Sequence, residues 1–239
     1  MCIRDSHNAP NQQGKDPDIV SAVLAFTPDD AAGRTSGLRG WFTRHQGWAF
    51  FPLLTLEGLA LHGNSIATLV RVKTMPRRRL ELGIIAVRLV AFVAAVFLLM
   101  SPAIAIAFIA VELGVFGVLL GGSFAPNHKG MPLVPKNEKV DFLRRQVLMS
   151  RNIRGGWLTD FMMGGLNYQI EHHLFPSMPR PNLRKVQPMV RAFCAENRIS
   201  YTETSLVGSY SIIVRYLNKV GLAERDPFTC PLVQQYRTS

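Results

Sequence analysis

Two long runs of mostly apolar residues stand in the middle of the sequence, at 80–100 and 103–121. Each run is close to the roughly 20 residues that an α-helix needs to cross the hydrocarbon core of a bilayer. Ser101 and Pro102 lie between the runs, and this pair is typical of a tight turn. The pattern therefore predicts a transmembrane helical hairpin within an all-α integral membrane protein.

Basic residues flank the predicted hairpin on both sides. Before it stand Arg71, Lys73, Arg77, Arg78 and Arg79, and after it stand Lys129, Lys136, Lys139, Arg144, Arg145, Arg151 and Arg154. Segments rich in Lys and Arg near membrane spans stay on the cytoplasmic side. Both ends of the hairpin are therefore predicted to be cytoplasmic.

Each predicted span contains a charged residue, Arg88 in the first and Glu112 in the second. Isolated charges are costly inside a bilayer and are usually paired. Measured from the turn, the depths of the two residues differ by about 4–5 Å at helical rise. We predict a structural ion pair between Arg88 and Glu112 across the hairpin.

Composition changes this picture little. The 239 residues carry a net charge of +11, and 48% of them are hydrophobic. A basic, apolar chain indicates nucleic acid or an anionic membrane surface as partner. The apolar runs favour the membrane, and no nucleic-acid-reading motif is evident.

Three widely spaced cysteines form neither a disulfide framework nor a zinc pattern, which fits a reducing cytosolic side; they are Cys2, Cys194 and Cys230.

Candidate chemistry is concentrated in the string QIEHHLFP, which begins at Gln169. A histidine pair alone is more often a surface or capping feature. In a helix, however, Gln169, His172 and His173 share one face, and imidazole and amide groups can bind iron, copper, nickel or zinc. Glu171 points off that face, where it could hold an imidazole N–H behind the metal. Pro176 ends the helix.

The string resembles the third histidine box of the membrane fatty acid desaturases. It is most similar to the subgroup in which glutamine replaces the first histidine, which includes front-end and linoleoyl-CoA-desaturase-like enzymes. Eight consecutive residues match. The resemblance implies a dinuclear iron site that uses O2, an electron donor of the ferredoxin or cytochrome b5 type, and an acyl chain on CoA, a carrier protein or a lipid. Side chains alone cannot remove two hydrogens from an unactivated methylene pair, so a metal is needed.

The N-terminal segment extends the resemblance. His7 is followed by NAPNQQGKDPD, which is similar to the segment just after the second histidine box of these enzymes. On that alignment His7 is the last ligand of the second box, and the earlier boxes and first spans are absent. We therefore expect an N-terminally truncated, inactive chain with foreign sequence at 1–6. The alternative is that His7 is a terminal histidine without a role.

Asn127 and His128 follow the second predicted span. Their surroundings are those of a helix C-terminus, rich in Asn, Gly and Pro. The position also resembles a further ligand site of membrane desaturases, where a histidine at the end of the fourth span joins the box histidines. The resemblance implies that His128 binds metal and that Asn127 binds metal or supports a ligand.

The apolar stretch 49–70 contains Glu, His and Asn, so it could cross the membrane or lie in its interface. If it crossed, His7 would lie on the opposite side from His128 and the QIEHHLFP string. A shared metal site requires one side, the cytoplasmic one, which predicts an interfacial or re-entrant helix. His45 and His62 are then structural interfacial residues rather than ligands.

These features divide the sequence into six parts. They are a foreign leader (1–6), the remnant of the second-box region with a cytoplasmic loop (7–47), an interfacial helix with a basic linker (48–79), the hairpin (80–121), a cytoplasmic catalytic cap (122–225) and a tail (226–239). Within the cap, residues 182–197 and 203–221 are predicted to form soluble helices.

Two other functions fit the same residues. A related diiron hydroxylase or ketolase is possible because the same kind of iron site can insert oxygen, and histidine spacing does not separate these outcomes. A non-catalytic membrane protein could use the basic cytoplasmic face to bind lipid or a partner. Such a protein would not depend on His172 and His173.

Overall fold

The computed structural model of the chain describes residues 9–14, 16, 19, 23–34, 36–136, 138 and 140–222. The fold is mostly helical, which confirms the predicted class. The helices are α1 (Pro28–Ala32), α2 (Gly37–Arg44), α3 (Gln46–Leu54), α4 (Glu57–Arg71), α5 (Arg78–Leu99), α6 (Pro102–His128), α7 (Phe142–Leu148), α8 (Trp157–Met162), α9 (Gln169–Leu174), α10 (Arg180–Glu196) and α11 (Leu206–Gly221). Two short strands, β1 (Asn152–Arg154) and β2 (Glu203–Ser205), pair in parallel.

The chain divides into two compact units. The first comprises Phe51–Gly121, and the second comprises the residues up to Phe50 and those from Gly122 onward. The first unit contains α4, α5 and most of α6. The second contains every described residue that the sequence proposed as a metal ligand.

Helices α5 and α6 are long and apolar enough to cross a membrane, and few of their side chains are buried. This agrees with the two predicted spans. The preceding helices α3 and α4 meet at a bend of 78°, a shape that fits either a broken span or a re-entrant segment. The interfacial or re-entrant assignment of this region stays a prediction.

Helix α6 continues beyond its predicted end at residue 121 and passes through Pro126. Proline has no N–H, so the carbonyl four residues earlier loses its helical hydrogen bond. That carbonyl belongs to Gly122, and it accepts a hydrogen bond of 2.9 Å from the Tyr210 hydroxyl of α11. An external donor thus compensates the proline, and the helix reaches His128.

Arg88 contacts a histidine rather than the acid predicted for it. Its Nη2 lies 2.7 Å from His62 Nε2, while His62 Nδ1 lies 2.8 Å from the Gly58 carbonyl oxygen. Among the described residues, no ion pair within 4.0 Å joins Arg88 to Glu112. The prediction considered only the two spans, whereas α4 supplies the partner.

Glycines bring backbones of the first unit close together. A Cβ on Gly58 would lie 2.8 Å from the Leu113 carbonyl oxygen, and one on Gly117 would clash with the Leu54 carbonyl oxygen. Small residues at such contacts let membrane helices pack closely. Gly83 of α5, in contrast, has nothing within 4 Å of the position where its Cβ would be.

We predict that Gly117→Ala lowers the stability of the first unit by about 1–3 kcal/mol, the usual cost of overpacking. Gly83→Ala is the matched control, and we expect no loss or a gain of about 0.5–1 kcal/mol, because alanine favours a helix over glycine. Thermal unfolding in detergent micelles measures both. Equal midpoints for the two variants would contradict the packing role of Gly117.

Candidate metal centre

The QIEHHL residues form one short helix, as predicted. Helix α9 begins at Gln169 and ends at Leu174, just before Phe175 and Pro176. Proline disfavours helical backbone in the residue before it, so the helix stops there. Most α9 side chains are buried, because α9 packs against α7 and α10.

The fold brings His128 of α6 to the histidine-bearing face of α9. Gln169 Nε2 lies 3.0 Å from His128 Nε2. The ring centres of His128 and His173 are 4.9 Å apart, and those of His172 and His173 are 6.1 Å apart. Three of the proposed ligands, His128, Gln169 and His173, therefore meet at one place, and His172 is the neighbour of His173 in α9.

Asn127 lies behind this cluster and is fully buried. Its Nδ2 donates to the carbonyl oxygens of Ser123 and Leu166, both at 3.0 Å, and to Gln169 Oε1 at 3.3 Å. Among the described residues, its Oδ1 has no hydrogen-bond partner. Asn127 therefore orients Gln169 and keeps one buried oxygen available.

His173 is held by a residue that the sequence did not single out. Gln146 Oε1 of α7 lies 2.9 Å from His173 Nδ1, and both side chains are buried. An amide oxygen only accepts hydrogen bonds, so the imidazole proton lies on Nδ1 and the lone pair on Nε2. This tautomer suits a ligand that binds metal through Nε2.

Glu171 lies in a separate buried polar network. Its carboxylate oxygens accept hydrogen bonds from Asn152 Nδ2 at 2.7 Å and from the Tyr201 hydroxyl at 2.8 Å. The predicted contact of Glu171 with an imidazole N–H is therefore not formed, and Gln146 makes the corresponding contact instead. Burial raises the pKa of Glu171, and the two hydrogen bonds oppose that rise. Burial beside this carboxylate also raises the pKa of Tyr201, so its hydroxyl remains a donor.

Arg151 holds the end of α6. Its buried guanidinium donates to the carbonyl oxygens of Pro126 and Lys129 and to the Ser209 hydroxyl oxygen, with distances of 2.8 Å from Nε to Pro126 and 3.0 Å from Nη2 to Lys129. Its backbone N–H also donates to the Asn127 carbonyl oxygen at 3.0 Å. Burial lowers the pKa of Arg151 to about 10, so it stays a cation near neutral pH.

The segment around Asn11 is fixed against the same end of α6. Asn11 Nδ2 lies 3.3 Å from the Met149 carbonyl oxygen and 3.5 Å from that of His128. The Asp16 carboxylate accepts a 2.7 Å hydrogen bond from the Asn11 backbone N–H. This closes a turn in which Asn11 has a φ of 54°, a left-handed conformation that asparagine tolerates. His7 lies outside the described residues.

The turn before α9 contains the paired glycines, with φ angles of 56° at Gly164 and 80° at Gly165. It returns the chain from α8 so that Asn167 Nδ2 and the Tyr168 hydroxyl meet the Asp160 carboxylate at 2.7 Å and 3.3 Å. The two glycines thus allow the turn that leads from α8 into α9.

The donor atoms in this cluster are chemically suited to iron, because imidazole nitrogens and amide oxygens can both bind it. The buried Oδ1 of Asn127 adds a further oxygen close to Gln169. Within the part of the chain that the structure describes, however, no group of three or more His, Cys, Asp or Glu side chains is arranged to hold a metal ion. These residues therefore fit a part of a ligand set.

We predict that Tyr201→Phe lowers the free energy of unfolding by about 1.5–3 kcal/mol, because it removes a hydrogen bond to a buried carboxylate. Tyr210→Phe is the control: its hydroxyl donates to a neutral carbonyl, so we expect about 0.5–1.5 kcal/mol. Denaturant unfolding in detergent compares them. A loss for Tyr201→Phe no larger than that for Tyr210→Phe would contradict the network.

Comparison with known proteins identifies the family. The family model described as fatty acid desaturase matches residues 5–205. An acyl-lipid 8-desaturase of Rebecca salina is 31% identical over 204 residues, which cover 84% of this chain and 45% of the relative. A delta(8)-fatty-acid desaturase of Euglena gracilis is 30% identical over 243 residues, which cover 95% of this chain and 57% of the relative.

An acyl-lipid (9-3)-desaturase of Physcomitrium patens is 38% identical over 110 residues, which cover 46% of this chain and 21% of the relative. The chain thus spans about half, or less, of the length of the curated relatives it matches. No solved structure matches it significantly. Because the family model covers most of its residues, the chain belongs to the fatty acid desaturase family.

Proposed function

We propose that this chain contributes to an iron-dependent desaturase that introduces a double bond into an acyl chain with O2. The observation that carries the proposal is the meeting of His128 with Gln169 and His173, residues from two helices far apart in sequence. Iron held there would supply the activation of O2 that no side chain provides. The protein residues position the donors and set their protonation.

The proposed ligands are His128, Gln169, His172 and His173, with His7 as a further one. Asn11 supports the inclusion of His7, because it contacts the His128 carbonyl and the four residues from His7 to Asn11 reach at most about 14 Å. Two iron ions need more donors than these five residues supply. The remaining ligands would come from other residues, so we expect the 239-residue chain alone to be inactive.

We further propose that the site lies on the cytoplasmic side of a multi-pass protein. The contact of Asn11 with His128 and Met149 supports a shared side for the segments before α3 and after α6. The basic residues that flank the two spans favour the cytoplasmic side. An even number of crossings must then separate the two segments. The two spans α5 and α6 satisfy that count when the bent pair α3 and α4 enters and leaves on the same side.

The substrate class and the electron donor are proposed from the family. Several relatives carry names that specify an acyl-lipid substrate or a numbered position of desaturation, such as acyl-lipid 8-desaturase and delta(6)-fatty-acid desaturase. We propose an acyl chain carried by a lipid, CoA or a carrier protein, and electrons from a ferredoxin or cytochrome b5-type donor. Product analysis would separate desaturation from hydroxylation.

We predict that His172→Ala and His173→Ala each lower the Fe(II) affinity of the purified chain at least tenfold, because each removes a proposed ligand. His45→Ala and His62→Ala are matched controls, since their Nδ1 atoms contact the Trp41 and Gly58 carbonyl oxygens and neither histidine is a proposed ligand. Anaerobic Fe(II) titration in detergent, followed by metal analysis, measures the affinity. The proposal fails if all four variants bind iron equally.

We predict that Gln146→Leu weakens Fe(II) binding by about 10–100-fold, the usual effect of removing a hydrogen-bond partner of a metal-bound histidine. Gln146→Glu also presents an oxygen to His173 Nδ1 and should retain most of the affinity. The same titration, with nitrogen NMR of labelled histidine, reports both affinity and tautomer. An unchanged tautomer in Gln146→Leu would refute this role.

A further inference from the structure

Helix α8 exposes its large apolar side chains and turns its acidic side chain inward, the reverse of the usual pattern in a soluble protein. Trp157 is 76% exposed and Phe161 75%, while Leu158 and Met162 are 57% and 53% exposed. The polar residue Asp160 turns inward instead, where its carboxylate accepts hydrogen bonds from two residues that precede α9. Interior contacts therefore fix the helix by its polar side and leave a large aromatic surface outside.

Helix α8 contacts the end of α6. The Ser123 hydroxyl of α6 lies 3.5 Å from the Met162 carbonyl oxygen, and the next residue, Phe124, is 45% exposed. At helical rise, Ser123 lies about 30 Å beyond Pro102, which is the thickness of the hydrocarbon core of a bilayer. If residues 102–122 of α6 cross the hydrocarbon core, Ser123 and the α8 backbone that it contacts come at the boundary between hydrocarbon and headgroups.

Three arginines lie close to α8 in space or in sequence. Arg184 Nη1 lies 3.7 Å from an Asp160 oxygen, yet the arginine side chain remains 68% exposed. Arg180 Nη1 donates to the Gly164 carbonyl oxygen at 3.1 Å, and exposed Arg154 ends β1 just before α8. Long basic side chains beside apolar ones are typical of helices that lie at a membrane interface.

We propose that α8 is an interfacial anchor that inserts its aromatic face at the headgroup level of an anionic bilayer surface. The residues that enter the lipid are Trp157, Leu158, Phe161 and Met162, and the residues that meet lipid phosphates are Arg154, Arg180 and Arg184. Tryptophan prefers this depth because its ring is apolar and its N–H is polar. The anchor holds the turn that leads to α9 next to the bilayer, whether or not the iron site is filled.

A lipid surface fits this face better than a protein partner does. The rim of α8 has one sign of charge, since its only acid, Asp160, is turned inward. The α8 backbone also contacts the Ser123 hydroxyl of α6, a helix long and apolar enough to cross the membrane. A bilayer that receives α6 therefore already lies beside α8.

The test uses the full chain with Trp41→Phe and Trp48→Phe, which leaves Trp157 as the only tryptophan. The protein is reconstituted into phosphatidylcholine–phosphatidylglycerol vesicles that carry bromine at a shallow or a deep acyl position. We expect shallow bromine to quench Trp157 emission at least twofold more than deep bromine, and aqueous acrylamide to quench it weakly. Strong acrylamide quenching without bromine quenching would overturn the proposal, as would protection from both quenchers, which would indicate a covering protein.

Two controls separate the roles of the apolar face and the basic rim. In the same background, Leu158→Ser with Phe161→Ser should reduce shallow-bromine quenching at least twofold, and circular dichroism verifies that the exposed substitutions leave the fold intact. Vesicles of phosphatidylcholine alone should also give weaker quenching. Equal quenching in neutral and anionic vesicles would overturn the phosphate contacts of the three arginines.

Discussion

The adjacent residues Arg151 and Asn152 fix the distance between the two helices that carry the candidate ligands. The Arg151 guanidinium donates to Pro126 at the end of α6, while Asn152 accepts from the Ile170 N–H and donates to Glu171 in α9. Removal of either side chain would lower the stability of the fold, because buried polar groups would lose their hydrogen-bond partners. The carbonyl oxygens at a helix C-terminus carry partial negative charge, so they stabilise the buried Arg151 cation. The positions of His128 and the α9 histidines thus depend on one dipeptide.

Helix α9 is too short to be stable alone, since isolated helices of one or two turns do not form in water. Polar contacts supply its stability at both faces: Asn152 holds its first turn, and Gln146 holds His173. Apolar packing then fills the space between α7, α9 and α10, with a core formed by Val147, Ile170, Val190 and Cys194. A helix held in this way cannot rotate without breaking buried hydrogen bonds, so its imidazoles stay aligned.

Local patterns predicted the elements but not their long-range partners. The spans, the QIEHH helix and its end before Pro176 follow from apolar run length and proline chemistry, so they could be predicted. Gln146 and Tyr201 carried no such signal, because a buried glutamine or tyrosine far from the motif has no characteristic spacing. The same limit explains Arg88: depth in the hairpin suggested Glu112 as its partner, while His62 comes from α4, which lies outside the hairpin. A fold that buries polar groups reveals those partners only in three dimensions.

The buried polar network and the exposed apolar helices have the same physical cause, which is the bilayer environment. A protein in a bilayer meets hydrocarbon outside, so apolar side chains can face outward at no cost, while every buried polar group needs an internal partner. Helices α5 and α6 follow this rule at most of their positions, because they are mostly apolar and few of their side chains are buried. Helix α8 follows it too, with Asp160 paired inside and Trp157 outside. In water, an aromatic face held outward by an internal carboxylate would favour aggregation. The same arrangement is stable at the boundary between water and the bilayer. The orientation of α8 therefore indicates where the membrane surface lies.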